Sequence, residues 1–162
     1  MQLESFAPVV NKDSTILIVG SMPGGQSLQM QQYYGNPRNH FWSIMYALYE
    51  EPVPRDYEER LAFLLSKRIA LWDVLHRCNR QGSLDTNIKD EEVNDFAGFY
   101  RQYDSIKAVL FNGTKAGSVY RKRVASQADK HYALLPSSSP VPGKYNKSLE
   151  EKIEAWRVIT RL

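Results

Sequence analysis

The chain has 162 residues, 43% of them hydrophobic and 24% charged, with a formal charge of +3 and a single cysteine. That length supports one domain burying roughly 70% of its unfolded surface, and no stretch approaches the roughly 20 apolar residues of a membrane helix. The lone Cys78 excludes an internal disulfide, a Cys-rich zinc site and an iron-sulfur cluster, each of which takes several thiolates from one chain. The opening segment MQLESFAPVVNKDS carries Glu4 and lacks the basic and long apolar regions of a signal peptide. The expectation is a soluble, cytoplasmic monomer folded as a single domain over residues 1–162, without a membrane partner.

Taken in chain order, Ile16 to Val19 is a β-branched apolar run feeding the small-residue loop Gly20-Ser21-Met22-Pro23-Gly24-Gly25, the pattern of a buried strand and a tight exit. Helical spacing follows at Phe41, Ile44, Met45 and Leu48, and again at Leu61, Leu64 and Leu65. Ile69 to Val74 predicts a second strand, then Phe96, Phe99, Tyr100 and Tyr103 a helix, Ala108 to Phe111 a third strand, Ala116, Val119 and Tyr120 a helix, and Tyr132 to Leu135 a fourth strand. Ser148 and Glu151 have capping-box spacing ahead of a helix with Leu149, Ile153 and Trp156 on one face. Short, nearly continuous apolar strands alternating with helices predict an α/β three-layer α/β/α sandwich with a four-stranded parallel sheet. The pattern leaves strand order open. Ligands of such sheets bind beyond the carboxyl ends of the strands, where the Gly20–Gly25, Asn112-Gly113 and Pro136–Gly143 loops gather.

The first loop is neither GxGxxG nor a Walker A sequence, so no nucleotide cofactor is expected. Gly24 and Gly25 still let backbone approach a ligand, and the alternative is a strand exit and nothing more. Tyr33-Tyr34-Gly35-Asn36-Pro37-Arg38-Asn39-His40-Phe41-Trp42 is dense in aromatic and amide side chains: a ring can stack on a planar base, and an Asn can read a base edge or hold a water. Equally, Asn39 can simply cap the following helix while Phe41 and Trp42 fill the core. Asn112 ends a strand at the ligand edge, where its amide can donate and accept at once, although Asn-Gly is also a common turn. Ser137, Ser138 and Ser139, between prolines and with Lys144 behind them, suit phosphate contacts or a solvated loop. His40, His76 and His131 lack metal-ligand spacing, so no metal is assigned. A triad through Ser137 lacks the GxSxG elbow.

Charge is unevenly spread. From Lys115 to Lys147 there are seven bases (Lys115, Arg121, Lys122, Arg123, Lys130, Lys144, Lys147) and one acid, Asp129, leaving that stretch at +6 and the remainder at -3. The stretch contains the Pro136–Gly143 loop, which makes it a candidate DNA-facing side.

Taken together, Gly20-Ser21-Met22-Pro23-Gly24, Tyr33 to Trp42, Phe111-Asn112-Gly113 and Leu135-Pro136-Ser137-Ser138-Ser139-Pro140 resemble, in order and spacing, the uracil-DNA glycosylase superfamily. Ile69-Ala70-Leu71-Trp72-Asp73-Val74 and Gly82-Ser83-Leu84-Asp85 look like its hypoxanthine-DNA (deoxyinosine) glycosylase branch. The resemblance spans nearly the whole chain. It implies a parallel sheet of order 2-1-3-4 and removal of a deaminated base, chiefly hypoxanthine, from DNA by a monofunctional hydrolase of base excision repair. Met22 stands where mismatch-specific relatives carry a water-positioning Asn, so the catalytic role passes to Asn39, as in the hypoxanthine branch. The same resemblance implies substrate contacts for Ser21, Met22, Gly24, Tyr34, Phe41 and Asn112. DNA contacts are expected from Lys115, Ser137, Ser138, Ser139 and Lys144. Competing readings are a non-catalytic nucleic-acid-binding module on the same fold, a uracil- or mismatch-directed glycosylase, and a small-molecule α/β hydrolase that leaves the basic stretch unexplained.

Overall fold

The four apolar runs pair through their backbones into one sheet, three of them buried on both faces as a covered parallel sheet requires and the fourth, at the sheet's edge, partly exposed. In the computed structural model, which describes residues 2–140 and 147–162, the elements in chain order are β1 (Gln2–Glu4), β2 (Ile16–Gly20), α1 (Gly25–Met30), α2 (Phe41–Leu48), α3 (Tyr57–Ser66), β3 (Ile69–Asp73), β4 (Leu75–Asn79), β5 (Lys89–Val93), α4 (Phe96–Gln102), β6 (Ala108–Asn112), α5 (Thr114–Arg123), β7 (His131–Leu135) and α6 (Leu149–Trp156). Short 3-10 turns cover Asp85–Asn87 and Arg157–Arg161. The main sheet is parallel throughout, in the order β3-β2-β6-β7. Counting only its own strands, that order is 2-1-3-4.

Side-chain alternation divides the sheet into two apolar layers. Ile16 and Ile18, Ile69 and Leu71, and Ala108 and Leu110 face one cluster with Phe41, Ile44, Met45 and Leu48 of α2, Leu64 of α3 and Trp156 of α6. Leu17, Val19, Ala70, Val109 and Phe111 face the other, with Phe96, Phe99 and Tyr100 of α4 and Ala116, Val119 and Tyr120 of α5. The same period of two carries the last residue of three strands, Gly20, Asp73 and Asn112, onto the α2/α6 face. Gly20 pairs in register with Asp73, and Asn112 with Leu135. The carboxyl edge therefore presents one row, Asp73–Gly20–Asn112–Leu135.

A second, antiparallel sheet of order β1-β4-β5 was not expected from the sequence. β5 is Lys-Asp-Glu-Glu-Val and mostly exposed, so no apolar period announces it. The loop after β4 nevertheless reaches the first loop of the main sheet: Ser83 Oγ accepts from Gly25 N at 2.8 Å and Asp85 Oδ1 accepts from Ser21 Oγ at 2.8 Å. The capping box at Ser148 and Glu151 is formed as its spacing predicts. Among the described residues, no helix is long and apolar enough to cross a membrane.

Trp156 is fully buried, meets Phe41 edge-on at 5.9 Å and donates from Nε1 to the Pro136 carbonyl at 2.8 Å. Trp156→Ala is expected to cost about 3–5 kcal/mol in urea unfolding. Ser148→Ala, which removes only the cap, should cost about 1 kcal/mol. Similar losses for the two would mean that α6 is held by its cap rather than by its packed face.

Candidate active site

The site is assembled where the strands of the main sheet end. Gly20 has no side chain, and a Cβ there would lie 2.5 Å from Asp73 Oδ1 and 3.0 Å from the Tyr34 hydroxyl. Glycine thus opens the space that a carboxyl and a phenol share. Tyr34 holds a left-handed backbone conformation, φ 54°, uncommon for a bulky residue, and its ring lies flat on Phe41, with centroids 4.0 Å apart and planes at 17°. The expected stacking ring is therefore the outer member of an aromatic pair whose inner member, Phe41, is wholly buried.

Asn112 ties this pair to the serine loop. Its Nδ2 donates to the Tyr34 hydroxyl at 3.1 Å and to Ser138 Oγ at 2.9 Å, and its Oδ1 accepts from Ser138 N at 2.9 Å. Both amide hydrogens are spent inside the protein, so in this arrangement Asn112 braces the site's walls. Gly113, at φ 94°, lets the chain turn into α5, and a Cβ there would press on Ser137 at 3.1 Å.

Asn39 is half-buried just ahead of α2, and its Oδ1 accepts from Phe41 N at 2.9 Å. The capping alternative thus describes one face of this amide. No hydrogen bond is recorded for its Nδ2 among the described residues, which leaves that end to a ligand or a water. His40 caps α2, its backbone N–H donating to the Ser138 carbonyl, while its Nδ1 lies 3.1 Å from Lys152 Nζ. Burial first and the lysine second hold this imidazole below its ordinary pKa, and burial likewise lowers Lys152. Lys152, 1% exposed, also donates to the Ser139 carbonyl. It fastens α6 to the Asn39 loop and the serine loop together. Capping-box spacing located the helix in the sequence, but nothing there shows Lys152 pointing inward.

Asp73 belongs to the row at the carboxyl edge, and sequence reasoning gave it no role. It is 4% exposed, and its Oδ2 has no hydrogen-bond partner among the described residues. Burial, followed by repulsion from Asp85 and against the attraction of Arg80, pushes its carboxyl up to about 7. Asp85 is also raised, mainly by burial. Arg80, 3% exposed, donates to the carbonyls of Pro23 and Gly82 and leaves Nη1 without a partner. Buried polar atoms of this kind are few in folded proteins and concentrate at functional sites.

Several expectations are corrected. Met22, 7% exposed, packs into the apolar cluster on the opposite face of the sheet, so its side chain does not face the Asp73–Asn112 row as a substrate contact would. Ser138, 1% exposed, has its hydroxyl and amide committed to Asn112, which removes it from the DNA surface. Ser137 is exposed, with Oγ accepting from Ser139 N. Lys115 is paired with Glu91 rather than left for phosphate. Lys144 lies outside the described residues. Ser21 and Gly24 remain beside the site in the loop after β2. The basic stretch is divided: Lys115 and Arg123 both reach Glu91, while Arg121 and Lys122 extend from the last turn of α5, roughly 10 Å along its axis from Lys115. Lys130 is buried over the Tyr100 ring. Among the described residues, no group of three or more His, Cys, Asp or Glu side chains is arranged to hold a metal ion.

A flat aromatic pair edged by amide and carboxyl groups thus lies at the carboxyl edge of a parallel sheet in an α/β protein. The model of the uracil DNA glycosylase superfamily matches residues 7–160, and the chain belongs to that superfamily. It is similar to two proteins named hypoxanthine DNA glycosylase. The one from Methanosarcina acetivorans is 39% identical over 151 residues, 93% of this chain and 94% of the relative. The one from Methanosarcina barkeri is 37% identical over 157 residues, 96% of each. A candidate uracil DNA glycosylase from Methanosarcina acetivorans, solved by solution NMR, superposes with a TM-score of 0.80 at 35% identity over 99% of both chains.

Two measurements test this geometry. Because its folded pKa is raised, Asp73 contributes most below its ordinary value near 3.8, and stability is lost as pH rises toward about 7. Asp73→Asn should therefore stabilise the protein above pH 7 by on the order of 2–4 kcal/mol, with no gain below pH 4, read by urea unfolding across pH. Lys122→Ala, at the far end of α5, should leave DNA affinity within about twofold; a tenfold loss would restore the basic stretch as a single DNA face.

Proposed function

We propose that the protein is a monofunctional DNA glycosylase that hydrolyses the N-glycosidic bond of deaminated bases, chiefly hypoxanthine, in DNA. It acts as a monomeric single domain over residues 1–162, in the cytoplasm, as a step of base excision repair. The observation that carries this reading is the Tyr34–Phe41 pair beside the Asp73–Gly20–Asn112 row, in a chain similar over more than nine-tenths of its length to proteins named hypoxanthine DNA glycosylase.

The target base must leave the stack, because its glycosidic carbon is shielded in a duplex, and a mispaired base costs less to extrude. The partly exposed Tyr34 ring offers a stacking face stiffened from behind by Phe41. Asn39 orients a water toward the sugar through its unbonded amide end, with Ser21 and Gly24 lining the adjacent loop. An amide is a weak base, so the route is dissociative: the glycosidic bond is largely broken before the water arrives, and placement supplies most of the catalysis. Ser137, Ser139 and Lys144 contact the DNA backbone. No lysine is assigned as a Schiff-base nucleophile, so the product is an intact abasic strand.

Incubation with a deoxyinosine oligonucleotide should release free hypoxanthine, and Asn39→Ala should slow release by about 10²-fold or more, the scale of losing an oriented group. Full activity in that variant would remove Asn39 from the mechanism. Salt-dependent DNA binding without release of any deaminated base would instead favour a non-catalytic binding module.

A further inference from the structure

Of the groups in the site, the hydrolysis described above uses aromatic rings, amides and hydroxyls but not the buried carboxyl. We propose that Asp73, in its neutral form, is the acid of the reaction and delivers its proton to the imidazole nitrogen N7 of the departing purine. This inference rests on the hypoxanthine reading and adds the group that makes the base a good leaving group.

The geometry carries it in three parts. Strand register sets Asp73 beside Gly20 in the terminal row of the sheet, on the same face as Asn112 and the aromatic pair. A Cβ on Gly20 would meet both Asp73 Oδ1 and the Tyr34 hydroxyl, so the missing side chain lets these two groups approach the same point. The carboxyl does not brace the fold: Oδ2 has no partner, and Asn94 reaches the residue only through its backbone carbonyl. The Tyr34 hydroxyl points into this row, beside Gly20 and bonded to Asn112 Nδ2, so a base stacked on that ring would lie against it.

No other member of the row is suited to give up a proton near neutrality. Asn39 and Asn112 are amides, and Tyr34 is pushed above its ordinary phenol pKa, first by burial and then by Asp73. The ionisable groups acting on Asp73 are Asp85 and Arg80 from the loop after β4, while Tyr33 and Tyr34 feel its charge from the loop before α2. Burial keeps the carboxyl protonated up to about pH 7, where an acid is most useful.

The step balances. The carboxyl O–H bond breaks as an N7–H bond forms, the C1′–N9 bond breaks with its electron pair passing into the base, and hypoxanthine leaves neutral. Water forms the new C1′–O bond and releases a proton through solvent, which restores the carboxyl. Water and the nucleotide are the only reactants.

The test is single-turnover excision by the full chain from oligonucleotides carrying deoxyinosine or 7-deazadeoxyinosine, whose ring has carbon in place of N7. Wild type should lose about tenfold in rate per pH unit above pH 7, and the 7-deaza substrate should react at least about 10²-fold more slowly, the lower end of acid catalysis. Asp73→Asn should slow deoxyinosine excision by about 10²-fold and flatten the alkaline limb. It should keep wild-type affinity for an uncleavable 2′-fluoro-deoxyinosine oligonucleotide. Equal rates on the two substrates, a pH profile without the limb, or an Asp73→Asn variant that loses affinity as steeply as rate would each overturn the role. The first two readouts need no variant to fold. Absence of hypoxanthine release by the wild type would instead overturn the glycosylase reading itself.

Discussion

The side-chain amide of Asn112 is the constraint from which the site takes its form. Three hydrogen bonds leave this one group: two to Ser138 and one to the Tyr34 hydroxyl. They join three parts of the chain far apart in sequence, the end of β6, the aromatic loop ahead of α2 and the serine loop after β7. A neutral hydrogen bond contributes only about 1 kcal/mol net, yet leaving such buried groups unpaired costs more, so the three loops adopt one relative arrangement. Tyr34 is then pressed onto Phe41, and its unusual backbone conformation is kept by contacts at both ends of the ring.

Burial around this brace also decides the electrostatics. Asp73 sits at the end of a strand whose other residues are apolar, and its carboxyl fits there only because Gly20 lacks a side chain. Removing a carboxylate from water favours its neutral form, and the neighbouring Asp85 pushes the same way. The nearest counter-charge, Arg80, spends its hydrogen bonds on the backbone of Pro23 and Gly82. The fold therefore spends some of its stability to keep an acid at this edge, as functional sites often do.

The main sheet was legible in the sequence because strands buried on both faces cannot hide their composition: Ile-Leu-Ile-Val, Ile-Ala-Leu and Ala-Val-Leu-Phe admit few other readings. The small sheet was not, since β5 alternates charges in solvent and β4 mixes His, Arg and Cys. Asn39, Tyr34 and Phe41 drew attention because amides and rings clustered beside a helix start. Asp73 did not, because a Trp-Asp-Val strand end carries no sign that its carboxyl will lie in the dark between a glycine and a phenol. The basic stretch misled for a geometric reason. Bases that are neighbours in the sequence are spread along α5, and Glu91, from the unforeseen β5, engages both Lys115 at its start and Arg123 at its end.

Lys152 has a consequence for the order in which the protein becomes itself. Its ammonium group reaches from the last helix to His40 and to the Ser139 carbonyl, closing a loop of more than a hundred residues with a contact that forms only when both ends are present. A chain still emerging from the ribosome can pair β2 with β3 and bury much of its core, but the loop bearing Asn39 remains without its buried cation until residue 152 is free. Assembly of this end of the sheet thus waits on Lys152, and a chain that lacks it has a sheet before it has a braced edge.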